Sequence, residues 1–416
     1  MAPGKDSPPV GNSGRRRDRP RRWRIPPVLF RDPVEPQAFE GVSILSEIPA
    51  DLGLLLFQVF RDLHLWSLTP DENRGRLFSE GAGTRRDAFI IAASPDPGLR
   101  SELEVLTAVL RCDARAEVAR VVEAASRIAS WAAGRGAGST AILFAQAAYA
   151  VDPTSPTSAL EVGRIAAGFG RLSSAEMWLR RTVALGRRML DWKSYCDALL
   201  ELGRIYAAPG GLADPVLAHA ALSSAIRTAR RHGFRQVRAQ ARHQLAVLAL
   251  AAGRPGEAER HATLSYKLYR WHHHDAPGVL HVLAESIVAQ RGTPRRAVEI
   301  LTRILPHRRS IPERLKSLLL LVRAAGRARM KGVLESAWGD ALDAIGHVGD
   351  REEAARYLLE LAQAAADALE PHRAAEAARR ALLIATEQRD GELISKIGAF
   401  RERAQLRCMS PRPQLD

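Results

Sequence analysis

Two short runs carry the same order of acid and base: Leu160-Glu161-Val162-Gly163-Arg164-Ile165 and Leu200-Glu201-Leu202-Gly203-Arg204-Ile205. On a helix, residues three apart share a face, so Glu161 with Arg164 and Glu201 with Arg204 each present a charged pair on one side. Arginines so placed can hold ligand carboxylates in bidentate fashion. Equally, each Glu can pair with its own Arg, or with the neighbouring run, and serve structure alone. His272-His273-His274-Asp275, with His261 and His281 nearby, is the one metal-like cluster. Consecutive histidines are expected to diverge, whereas metal sites favour ligands at spacings such as i and i+4 on a helix, so the segment reads as a polar loop edged by Trp271. Gly134-Arg135-Gly136-Ala137-Gly138-Ser139 superficially resembles a phosphate cradle but lacks the Gly-Lys-Ser/Thr ending and a preceding strand. No G-x-S-x-G, no H-E-x-x-H and no paired Cys/His spacing occurs. Cys112, Cys196 and Cys408 are odd in number and widely spread, so neither a disulfide framework nor a cysteine-zinc site is expected. The expectation is a protein that is not an enzyme and uses no metal or other cofactor.

Charge supplies the other chemistry. The 416 residues carry a formal net charge of +15, and it is concentrated. Residues 1–27 hold eight basic residues against Asp6 and Asp18. Residues 215–256 hold seven arginines and no acid, among them Arg227, Arg230, Arg231, Arg235, Arg238 and Arg242. Such arginines on long helices form either a solvated face or a footprint for a polyanion or acidic partner. Neither region has a helix-turn-helix or zinc-finger pattern, so nucleic acid is a possible but secondary partner. The apolar runs fall far short of a bilayer-spanning length, and the basic start lacks the apolar segment of a secretory signal, which predicts a cytoplasmic protein without membrane contact.

These side chains must be positioned by helices. Twelve of the 24 prolines lie in the first 100 residues, marking an irregular N-terminal region; beyond it prolines fall only between segments with apolar residues at three- and four-residue spacing. No period-2 strand is evident, and about a dozen antiparallel helices are expected after residue 100. Within the N-terminal region, residues 51–66 form an apolar helix candidate, and Thr69-Pro70-Asp71-Glu72 has the capping-box form that starts another.

Glycines expose an internal repeat. Gly136, Gly170, Gly253 and Gly292 are each followed five residues later by Ala141, Ala175, Ala258 and Ala297, and preceded by seven by Ala129, Gly163, Ala246 and Glu285. A helix, a tight turn and a returning helix, with small residues where backbones approach, fit this spacing. One such hairpin cannot bury its own apolar face, so the unit must recur and stack. The spacing from Gly136 to Gly170 is 34 residues, and later units lengthen to 39–43.

With Ala129, Gly136, Ala141, Ala145, Ala148 and Pro153 in one unit, and Val162-Gly163, Gly170-Arg171, Ala175 and Leu179 in the next, the chain resembles the tetratricopeptide repeat family. Leu202-Gly203 with Tyr206, Ala218, Leu222 and Ala225, then residues 245–265, 284–304, 315–345 and 361–381, continue the pattern divergently to about residue 405. The longer units look similar to a variant of bacterial regulatory and adaptor proteins. The resemblance implies an all-α fold, a right-handed α-solenoid of antiparallel helix pairs. Its concave groove, lined by the first helix of each unit, would bind a protein or peptide, acidic ones included. It places Glu161, Arg164, Glu201, Arg204, Gln240, His243 and Gln244 in that groove. The expected organisation is a disordered basic tail (1–27), an irregular region with a small helical cap (28–100), the repeat array with a terminal capping helix (101–405) and a short tail (406–416). The expected function is that of a non-catalytic adaptor or scaffold; the alternative is a regulatory component whose arginine-rich tail and face contact nucleic acid.

Overall fold

The computed structural model describes residues 42–48, 50–93, 97–111, 117–208, 210, 212–269, 273–290, 293–308 and 310–409. The basic tail expected over residues 1–27, His272 and Trp271 lie outside the described residues. All regular structure among the described residues is helical. The chain begins with α1 (Val42–Glu47), α2 (Ala50–Leu68), α3 (Asp71–Arg74), α4 (Ala82–Ala93) and α5 (Pro97–Thr107), the last running into a 3-10 turn (Ala108–Arg111). Seven helix pairs follow: α6 (Val118–Gly134) and α7 (Gly138–Val151), α8 (Pro156–Gly168) and α9 (Leu172–Arg188), α10 (Trp192–Ala207) and α11 (Pro215–Arg231), α12 (Arg235–Ala251) and α13 (Pro255–Tyr269), α14 (Ala276–Ala289) and α15 (Pro294–Ile304), α16 (Ile311–Arg327) and α17 (Lys331–Gly346), α18 (Arg351–Asp367) and α19 (Pro371–Gln388). A final helix, α20 (Gly391–Met409), packs against α19 and α18.

Local sequence explains many of the starts. Ser155, Asp214 and Ser310 cap the N–H groups of α8, α11 and α16 with their side chains, and Pro occupies the first turn in each case. Asp191 and Asp350 cap α10 and α18 in the same way. The capping box expected at Thr69 does not form. Helix α3 is a single turn with no side-chain cap, because the Thr69 hydroxyl donates instead to the Leu65 carbonyl of α2 at 2.7 Å.

The pairs stack in chain order as a right-handed α-solenoid. Gly163 and Gly203 stand where a Cβ would lie 2.8 and 2.5 Å from Leu179 and Leu222 of the returning helix, so a side chain at either place would have to displace a leucine. Ala129 and Ala246 are fully buried at the corresponding places. The fifth unit departs from the expected register. Ala284 is fully buried and Glu285 is exposed, because the turn between α14 and α15 is one residue longer than the turn between α12 and α13. Helices α1 and α2 pack on α7, so Phe60 meets Phe144 edge to face at 6.0 Å within one core that extends from Ile44 to Leu185. A second core runs from Ala239 to Ile397.

Candidate functional site

The first helices of successive pairs touch one another: α6 with α8, α8 with α10, α10 with α12, α12 with α14, α14 with α16 and α16 with α18. No comparable series joins the second helices. Closer spacing of the first helices puts them on the inner side of the curve, so their free faces line the concave surface.

At its N-terminal end this surface is filled by internal ion pairs. Arg164 of α8 reaches Glu201 at 3.4 Å and Asp197 at 3.5 Å, both on α10; Lys193 holds Asp197 at 2.7 Å and Arg204 holds Glu201 at 3.2 Å. Both pairings open from the sequence therefore occur, Arg204 with its own Glu201 and Arg164 with the next unit. Glu161 turns to α6. Burial pushes its carboxyl up, while Ser126, Ser130 and Arg164 act in the opposite direction.

The middle of the surface is built from α12, α14 and α16. Gln240, His243 and Gln244 are half-buried on α12. Burial pushes the His243 imidazole below its ordinary range; Asp275 opposes this, and Arg204 and Arg308 add to it. His281 of α14 is driven further, to about 4, by burial and by the charges of Arg308, Lys316 and His243. Its Nδ1 lies 3.2 Å from the Ser317 hydroxyl of α16. Arg308 donates through Nη2 to the Pro277 carbonyl at 3.1 Å, and its buried Nε has no acceptor among the described residues.

One to two turns further along the same three helices the surface opens into a cleft of about 400 Å³. Val247 and Leu250 of α12, Val282 and Val288 of α14 and Leu320 of α16 give its apolar lining; Glu285, Arg323 and Arg327 give its charged lining. Arg323 pairs with Asp367 of α18 at 2.9 Å, and Arg327 donates to the Val288 carbonyl at 2.7 Å. The carboxyls of Glu285 and of Glu360 on α18 are both pushed up by the crowding walls, against the pull of Arg323 and, for Glu360, of Lys316.

Sequence reasoning named Gln240, His243 and Gln244, which lie on α12, but not the cleft. It placed Glu285 at a helix crossing and met His281 only as a candidate metal ligand. The missed signal is a stripe on each first helix: His243, Val247 and Leu250; His281, Glu285 and Val288; Ser317, Leu320, Arg323 and Arg327, at spacings of three and four.

The arginine-rich region is divided. Arg227, Arg230 and Arg231 are exposed on α11. Arg235 donates to the Leu268 carbonyl at 2.6 Å and so closes the end of α13. Arg242 lies 3.0 Å from His261 Nδ1, with burial and neighbouring Arg238 lowering its proton affinity. Of the histidine segment, His273, His274 and Asp275 do converge, their ligand atoms lying within 4.8 Å of one another. The tight turn there stacks the His273 and His274 rings at 4.4 Å instead of splaying them.

The glycine-rich loop is already occupied by the protein itself. Glu47 of α1 accepts from the N–H groups of Ser139 and Thr140 at 2.7 Å each, and from the Thr140 hydroxyl at 2.8 Å. A carboxylate thus sits at the α7 N-terminus where a phosphate would otherwise be sought. Cys196 is buried, which pushes its thiol up to about 12 and leaves it a packing residue.

Stacked antiparallel pairs, glycine at the crossings and an inner face made of first helices decide the architecture. The fold is tetratricopeptide-like. Among solved structures, the array resembles a signal-transduction ATPase with a tetratricopeptide repeat sensor from Pyrococcus horikoshii at a TM-score of 0.52 and 12% identity, over 86% of this chain and 69% of that one. A Rap protein complexed with competence and sporulation factor aligns at a TM-score of 0.44 and 11% identity, covering 82% of this chain and 99% of that one. Pseudomonas aeruginosa pilF aligns at 0.46 and 16%, covering 56% and 95%. No family model matches the chain, and no curated protein does. No helix of the tetratricopeptide-like array, or of the other described residues, is long and apolar enough to cross a membrane.

Proposed function

We propose that the protein is a non-catalytic scaffold that binds a peptide segment of a partner protein on its concave surface, in the section made by α12, α14 and α16. The observation that carries this reading is the cleft of about 400 Å³ on the inner face, lined by apolar residues together with Glu285, Arg323 and Arg327. Further toward the N-terminus, Arg164, Glu201 and Arg204 already satisfy one another, so a ligand reaching them would compete with internal carboxylates. Gln240, His243 and Gln244 stand beside the cleft on α12 and supply polar contacts for a peptide backbone.

Val247 is 41% exposed within the cleft, so it can be changed without disturbing the core. Val247→Arg is expected to abolish retention of phage-displayed peptides selected on the wild-type protein, with the melting temperature unchanged. Val216→Arg, a comparable change at an exposed residue of α11 outside the cleft, is expected to have no effect. Equal retention by all three proteins would overturn the assignment of the site.

A further inference from the structure

We propose that the turn leading into α14 binds a divalent transition-metal ion of the zinc class through His273, His274 and Asp275, with Tyr269 supporting the carboxylate from the interior.

Consecutive side chains on a strand or helix point apart, and for that reason the sequence argues against a shared ligand set here. The backbone over residues 273–275 is instead a bend and a turn. It folds the side chains over one another: the imidazoles of His273 and His274 stack at 4.4 Å, and the His273 ring lies 4.3 Å from that of Tyr269 at the end of α13. Among the described residues this is the one place where three metal-ligating side chains come together.

The distances suit a small ion. Bonds of about 2.0 to 2.1 Å to a tetrahedral zinc put neighbouring donors about 3.3 Å apart. His274 Nε2 lies 3.2 Å from one carboxylate oxygen of Asp275, and His273 Nδ1 lies 3.7 Å from the other. All three donors fall within 4.8 Å of one another, so a small rotation of the exposed His274 ring closes the set. The protonation form is also suitable. His273 Nδ1 accepts the backbone N–H of Asp275 at 3.2 Å, so this nitrogen carries a lone pair and not a proton. That hydrogen bond is long, and a metal–nitrogen bond would take its place. Two imidazoles and one carboxylate favour zinc, nickel or copper over magnesium or calcium, which take six or more ligands, nearly all oxygen. Three protein ligands leave a fourth position for water or for a donor from a partner.

A second observation lies beneath the turn. Tyr269 is only 7% exposed, and its buried hydroxyl has no hydrogen-bond partner among the described residues. Burial pushes that hydroxyl up, and Asp275 beside it adds to the shift. A buried O–H next to a ligating carboxylate is the kind of group that orients it, and donating to the oxygen left off the metal would offset the hydroxyl's own loss of water. Tyr269 is therefore a positioning residue, holding Asp275 by its hydroxyl and His273 by its ring.

Calorimetric titration of zinc into the full chain, first stripped with a chelator, tests the site in the wild type, His274→Ala, Asp275→Asn, Tyr269→Phe and, as a control, His219→Ala on α11. His274 and His219 are both exposed, so neither change disturbs the core. The wild type and the control are expected to bind one equivalent with micromolar or tighter affinity. His274→Ala and Asp275→Asn should each weaken binding by about tenfold or more, and Tyr269→Phe by about tenfold with the melting temperature of the zinc-free protein little changed. Cobalt at the same site should show the visible absorption of a four-coordinate nitrogen and oxygen centre, without the thiolate band that Cys112 or Cys408 would add. Equal affinity in the wild type, His274→Ala and Asp275→Asn, a thiolate band, or no saturable binding below millimolar zinc would overturn the site. Unchanged affinity in Tyr269→Phe alone would overturn the part given to Tyr269.

Discussion

Seven helix ends among the described residues close with one backbone motif, and only four of them use glycine for it. In each, a residue two or three past the helix donates its N–H to a carbonyl five residues back: Ala137 to Ala132, Arg171 to Ala166, Phe234 to Ala229, Arg254 to Ala249, Met330 to Ala325, Glu370 to Ala365 and Asp390 to Ala385. The residue just before the donor has positive φ. It is Gly136, Gly170, Gly233 and Gly253 in the first four, but Arg329, Leu369 and Arg389 in the last three. A side chain in that conformation costs about 1 to 2 kcal/mol, while glycine costs about 0.5 to 1 kcal/mol of extra unfolded-chain entropy. Leu369 is 84% exposed and gives up little contact. Leu369→Gly is therefore expected to raise the melting temperature through a gain of up to about 1 kcal/mol, and Gly170→Ala to lower it by about the same amount. Thermal denaturation of the two variants checks both signs. A second prediction at this scale concerns His281. Its folded value of about 4 lies below the ordinary 6.5, so the unfolded chain binds the proton first. Its contribution to stability is full above pH 6.5 and is lost as pH falls toward 4. Melts of His281→Gln and wild type at stepwise lower pH should show the wild type losing stability relative to the variant across that window.

At the scale of elements, two contacts set how helices meet. The crossings of α8 with α9 and of α10 with α11 rest on Gly163 and Gly203, where an added Cβ meets leucine carbons at 2.8 and 2.5 Å. Gly163→Leu and Gly203→Leu must push the helices apart, and each is expected to cost about 1 to 3 kcal/mol in chemical denaturation. The other contact ties α1 to α7 through Glu47. Burial acts to raise its carboxyl, but the Thr140 and Ser139 N–H groups, with the Thr140 and Ser139 hydroxyls, outweigh burial and hold it below the usual 4.5. Its stabilisation is therefore present above pH 4.5 and lost as pH falls below it. Glu47→Gln should cost about 1 kcal/mol at pH 7, as loss of a helix cap does, and the gap to wild type should close on acidification.

Over the whole molecule, two clusters of buried apolar residues among the described residues span 44–185 and 239–397, and the buried Leu199, Leu200, Leu202 and Ile205 of α10 belong to neither. After α10 the interior of α11 is mainly alanine, Ala218, Ala221, Ala225 and Ala229, with Leu222 as its one large buried side chain. In a stacked array each unit is stabilised by its neighbours, and a stretch that buries small side chains couples them less strongly. Native-state hydrogen exchange is expected to resolve two cooperative units, one on each side of α11. Ala355→Asp in α18, a fully buried position, should abolish protection in the second unit and leave the first near its wild-type values. Uniform loss across both would show a single cooperative unit.

Alanine and leucine at three- and four-residue spacing, proline between helices and glycine at Gly163 and Gly203 determined the hairpin, its recurrence and its stacking, because close backbone approach constrains residue type directly. The same signal faded where Arg329, Leu369 and Arg389 take the turn conformation that glycine usually marks, since tertiary packing overrides a local preference of about 1 kcal/mol. The groove was legible only in part. Gln240, His243 and Gln244 could be placed on its lining helix, but a one-residue difference in turn length moved Glu285 from a crossing to the lining of the cleft. Which charges stay free was decided by the tertiary structure alone. Arg164 and Arg204 have carboxylates within reach across α8 and α10, Arg235 and Arg242 turn to α13, and Arg308 keeps a buried donor without an acceptor among the described residues. Ion pairing depends on distances of a few ångströms between residues far apart in the chain, and spacing along the sequence carries no record of them.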